Sequence, residues 1–146
     1  VGQPVAHVGK YYFDLEFIEE ERRRIKAGER PQHAGFGLAT LRLDGFVSVD
    51  AGDREGILTT KPLVFEGQEL TINAQADGGS VAVEILNEKS QPIKGFRRND
   101  CDKFTGNSIR HTVTWRGSSD ISALQEKPIQ LRFHMKKAKL YSFKFQ

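Results

Sequence analysis

Cysteine is nearly missing from this sequence: Cys101 stands alone among 146 residues, which excludes an internal disulfide and a multi-cysteine zinc site. Long apolar runs are missing as well. None approaches the roughly 20 residues that a membrane-spanning helix needs, so no membrane partner is expected. The four histidines, His7, His33, His111 and His134, show neither HExxH nor HxH spacing, and the chain holds no GxSxG elbow and no phosphate-binding glycine loop. With no base, acid and charge-neutralising partner assembled, the chain is not expected to be an enzyme. There is no initiator Met; the opening Val1-Gly2-Gln3-Pro4 is what an excised piece of a larger protein would show, with any signal peptide outside it. Internal repeats and low-complexity segments are absent.

What is present reads as β-structure. Ile109 to Arg116 and Ile129 to Lys136 alternate apolar and polar side chains without a break, the period of a strand with one wet face, and Leu140 to Phe145 closes the chain in the same manner. Gly37 to Leu43 and Phe46 to Asp50 flank Asp44-Gly45, a hairpin signal. Strands are further expected at Gly56 to Thr60, Leu70 to Gln75 and Ser80 to Leu86, the last two separated by a turn at Asp77-Gly78-Gly79. Residues 97–107 and 118–128 read as loops, the second with a turn of helix near Ile121 to Leu124. Glu19/Arg23 and Glu20/Arg24 are spaced i,i+4 with Gly28 as a stop, so one short surface helix is expected from about Glu16 to Ala27. Together these predict an all-β fold, an antiparallel β-sandwich of jelly-roll or Greek-key type, with one short peripheral helix near the N-terminus. The chain is read as one module, with residues 1–36 an N-terminal extension and residues 37–146 the sandwich core.

Charge is distributed unevenly. Residues 1–88 carry 9 Lys and Arg against 15 Asp and Glu, and residues 89–146 carry 13 against 4, an asymmetry that favours an anionic partner. Strand parity sorts the functional candidates. Ile109, Val113, Trp115, Leu131, Phe133 and Met135 share one face and build the core. Arg110, Arg116, Arg132 and His134 share the other, where Glu84 and Asn73 of neighbouring strands can meet them. Guanidinium forks bind carboxylate or sulfate bidentately, and Asn and Glu pair with hydroxyls, so these six residues are the candidate ligand-binding set for a charged oligosaccharide. Because the aromatics carry core parity rather than interleaving with the basic residues, nucleic acid is not expected as a partner. Asp100 and Asp102 offer two carboxylates to a structural calcium, but Arg97, Arg98 and Lys103 repel a cation there, so no cofactor or metal is expected.

The run Leu41-Arg42-Leu43-Asp44-Gly45-Phe46-Val47-Ser48-Val49-Asp50-Ala51-Gly52, followed by Gly56 to Leu63, resembles a recurring bacterial module. So do Val83 to Leu86 through Pro92 to Phe96, the Asp100-Cys101 loop, Val113-Thr114-Trp115, Leu131 to Phe133 and Leu140 to Phe145. Over about residues 37–146 the chain is similar to the C-terminal β-sandwich that follows five-bladed propeller domains of glycosidase-like proteins, including ones related to the invertase and levansucrase group. That resemblance implies a non-catalytic carbohydrate-binding accessory module of a secreted bacterial carbohydrate-active enzyme. It would be extracellular or periplasmic, beside the catalytic domain of the same parent protein, with an anionic polysaccharide as ligand. The alternative is a structural sandwich that packs on the catalytic propeller and binds nothing itself.

Overall fold

The structure, a computed structural model, describes residues 4–8, 15–28 and 36–146. The protein is all-β and antiparallel with one short α-helix, as its patterning predicts. Two compact units divide at Arg42/Leu43. In the first, β1 (Pro4–Val8) pairs antiparallel with β2 (Phe36–Thr40), and α1 (Leu15–Lys26) lies between them in the chain. Arg23, Arg24 and Lys26 in the last turn complement the negative end of the helix dipole, and Gly28 takes the left-handed conformation that stops it (φ 80°). Within the expected extension, residues 1–3, 9–14 and 29–35 lie outside the described residues.

The hairpin expected about Asp44-Gly45 does not form. β2 takes β1 as its partner, while β3 (Val49–Ala51) pairs with β8 (Ala138–Phe145) at the far end of the chain. Asp-Gly signals a turn, and Asp44 does adopt a positive φ of 50°, but a local turn does not dictate pairing when a distant strand offers a better apolar partner.

The second unit is organised on β5 (Leu70–Asn87). The expected turn at Asp77-Gly78-Gly79 is instead a bend inside one 18-residue strand. Opposite it run β7 (Ile129–Lys136) and β8, joined through Lys137, so that they form a second long strand antiparallel to the first. β6 (Phe104–Thr112) faces β5 at both Thr71 and Val81, so β7 and β8 must share the other edge. β3 and β4 (Gly56–Thr59) line the outer edge of β8 and β7 in turn. β6 begins at Phe104, inside the stretch expected to be loop, and ends at Thr112; Trp115 follows it in an isolated bridge to Cys101.

β5 is buried on both faces, and parity decides which of them is apolar. Leu70, Ile72, Ala74, Val81, Val83 and Ile85 of β5 face Leu131, Phe133 and Met135 of β7 and Leu140 of β8, all at most 4% exposed. Each fully buried Leu, Ile or Phe contributes roughly 1.5–3 kcal/mol. Trp115 joins this core as its parity predicts, donating Nε1–H to the Val83 carbonyl at 2.9 Å and meeting Phe96 edge-on at 5.3 Å.

Candidate functional site: a polar groove at the Glu84 wall

On the face of the sheet opposite the core, register fixes two cross-strand rows. Thr59, Arg132 and Glu84 form one, and Ile57, His134 and Ala82 the other. In the first, an Arg132 guanidinium N–H donates to Glu84 Oε2 at 3.3 Å, and Arg132 Nε donates to Thr59 Oγ1 at 3.4 Å. This face is not simply wet. Glu84 is 7% exposed and His134 8%, because residues Arg97 to Asp100 and Glu55 fold over them.

The covering loop is held at both ends. Cys101 Sγ accepts the backbone N–H of Val83 at 3.2 Å, and burial pushes its thiol up to about 11, so this cysteine packs rather than reacts. Asp100 accepts the Arg97 N–H at 3.3 Å and pairs with the Arg116 guanidinium. Burial pushes the Asp100 carboxyl up, but the Arg97 N–H and Arg116 outweigh it and hold it below its ordinary value. Asp102 turns elsewhere, accepting the Thr114 hydroxyl and the Gly117 N–H, each at 2.7 Å, and these bonds lower its carboxyl. The two aspartates weighed for calcium therefore point at separate partners. Among the described residues no three His, Cys, Asp or Glu side chains gather as metal ligands.

Beneath the loop lies a groove of about 590 Å³ lined by Glu84, Pro92, Arg97, Arg98, Asn99, Asp100 and Arg116. Arg98 reaches across its rim to Glu55, and its backbone N–H lies 3.5 Å from Glu84 Oε1. Of the six residues selected by parity, Glu84 and Arg116 line the groove, and Arg132 and His134 stand against Glu84 behind it. Asn73 and Arg110 do not join them. Asn73 is buried in the first half of β5 and donates Nδ2–H to the Leu43 carbonyl at 2.6 Å, while Arg110 is exposed on β6. Parity misses Arg97, Arg98 and Asn99, which lie in a loop, where alternation says nothing. Their signal was the dense charge between two apolar anchors, Phe96 and Cys101.

Neither a family model, nor a curated protein, nor a solved structure matches this chain.

The site's chemistry thus rests on its own geometry. A second depression, of about 320 Å³, is lined by Asp50, Gln75, Asp77, Lys137 and Lys139 among others. Its charges are already matched, Lys139 with Asp50 and Lys137 with Asp53 at 3.0 Å, and Asp77 accepts from Gln75 at 3.1 Å. The larger groove is matched too, Arg98 with Glu55 and Arg116 with Asp100, but it gathers three guanidiniums where the smaller depression has two ammonium groups.

Proposed function

We propose that this chain is a non-catalytic carbohydrate-binding accessory module of a secreted carbohydrate-active enzyme, taking a sulfated or uronic polysaccharide along the Glu84 groove. One observation carries the reading: Arg97, Arg98 and Arg116 converge on a single open groove that also presents Asn99, Asp100 and Glu84. Guanidinium forks suit sulfate or carboxylate, and the amide and carboxylates suit the hydroxyls between them. The groove offers no aromatic platform, since Trp115 is spent in the core, so affinity would come from charge and hydrogen bonds and would fall with salt. Bacterial origin, an extracellular or periplasmic location and a catalytic partner domain follow the resemblance over residues 37–146.

The structural alternative has its own support. Phe46 (82% exposed), Val47 (77%) and Val64 (61%) are bare apolar side chains in the segment that carries the edge strands β3 and β4, as a surface covered by a neighbouring domain would be. Affinity electrophoresis separates the two readings. In gels cast with sulfated, uronic or neutral polysaccharide, the whole chain should be retarded in one of the charged gels and less so as salt rises. Arg116→Ala should weaken that interaction about tenfold, the loss of one charged hydrogen-bonding group, whereas Arg110→Ala should leave it unchanged. Free migration in every gel leaves the structural role.

A further inference from the structure

His134 is a buried imidazole between two carboxylates, and the groove does not account for it. Nδ1 lies 3.6 Å from Glu55 Oε1 and Nε2 lies 3.5 Å from Glu84 Oε2, yet neither ring nitrogen has a hydrogen-bond partner. Buried polar atoms without partners are rare in folded proteins, and each calls for one. A single metal ion is not that partner, because the two carboxylates face different nitrogens on opposite sides of the ring. A proton is. Neutral imidazole offers one N–H and one lone pair, so it can donate to only one of the two carboxylates while its lone pair opposes the other; imidazolium donates to both.

We propose that His134 is a proton-operated clasp that, when protonated, bridges Glu55 and Glu84 and fastens the connection between β3 and β4 to the wall of the groove. Among the described residues four charged groups face the ring, two carboxylates that favour its protonation and two guanidiniums that oppose it. Glu55 comes from that connection and Glu84 from β5. Arg98 of the covering loop pairs with Glu55 and Arg132 of the same strand pairs with Glu84, while Lys136, two residues along, is exposed. Two carboxylates against two guanidiniums leave the pocket balanced around a neutral ring, so protonation leaves one net positive charge there, offset only by direct contact of both ring N–H groups with the carboxylates. Ile57, opposite His134 on β4, supplies no competing donor. The clasp shares Glu84 and Arg98 with the groove but is argued from the surroundings of His134 alone.

Long-range ¹H–¹⁵N spectra of the histidine rings in the whole chain, recorded from pH 8 to pH 5, test it, with His134→Gln to assign the signal. The His134 ring should pass from one neutral tautomer to an imidazolium whose two N–H protons are both protected from solvent. Over the same range the amides of Glu55 to Ile57 and of Arg98 should become about tenfold more protected, after correction for intrinsic exchange, as expected when a local opening is closed. Glu55→Gln, which alters an exposed side chain, should abolish that gain while the fold is retained. A ring that stays neutral to pH 5, protection that does not follow the ring, or a Glu55→Gln variant with the full pH dependence would each overturn the clasp.

Discussion

His111 shows the opposite side of histidine chemistry. Its ring packs 4.4 Å from that of Phe104, half-buried, and burial lowers its imidazole below the ordinary value. In the unfolded chain the same side chain takes a proton more readily. The unfolded state therefore binds more protons as pH falls through about 6.5, and this residue makes the fold less stable in acid. His111→Phe, which keeps a ring against Phe104, should narrow the difference in urea midpoint between pH 7.5 and pH 5.5; an unchanged difference would mean that His111 is not a source of acid lability. The two histidines also show what single residues disclose in advance. Trp115 could be placed in the core from its spacing to Val113 alone. His134 could be placed on the opposite face, but not between two carboxylates, because Glu55 reaches it only through the β4–β7 pairing, across 79 positions of chain.

At the scale of elements, β7 over Ile129–Lys136 and α1 over Leu15–Lys26 follow their periodicity closely, and β5 does not. Asp77-Gly78-Gly79 has the composition of a turn, and local composition cannot tell a turn from a bend that continues in the same strand. What decides is the partner: β7 and β8 run past the bend as one strand, with Lys137 in a left-handed conformation (φ 45°) against Gly79, and Gly78 left-handed as well (φ 73°). Gly79 is where the two strands press closest, and an added Cβ would overlap the backbone carbonyl oxygens of Lys136 and Lys137. Gly79→Ala should therefore force the strands apart at the centre of the sheet and cost about 2–3 kcal/mol in urea unfolding. Gly78→Ala, with nothing within 4 Å of its Cβ, faces only the left-handed penalty of about 1–2 kcal/mol. If Gly78→Ala proved the more damaging of the two, conformation rather than close approach would be what the glycine pair provides.

At the scale of the molecule, the acidic and basic halves of the sequence do not become acidic and basic bodies. The division at residue 88 falls at the end of β5, so a strand from the acidic half pairs with β7 and β8 from the basic one, and the Glu84–Arg132 contact is one product of that pairing. Residues 43–146 carry 15 Lys and Arg against 13 Asp and Glu, close to balance, so any attraction for an anion is a local property of the groove rather than of a charged half. The apolar core is equally local. Among the described residues every member of the core cluster, from Ala51 to Phe145, belongs to this unit, and Gln146 is tied into it, its carbonyl accepting the N–H groups of Gln68 at 2.6 Å and Glu69 at 2.9 Å. A unit that contains its own core should fold alone. Residues 43–146 expressed without the preceding 42 should unfold in one cooperative transition, with core amide shifts that overlay on those of the whole chain. A piece that expands or aggregates instead would show that this unit depends on residues 1–42 for its stability.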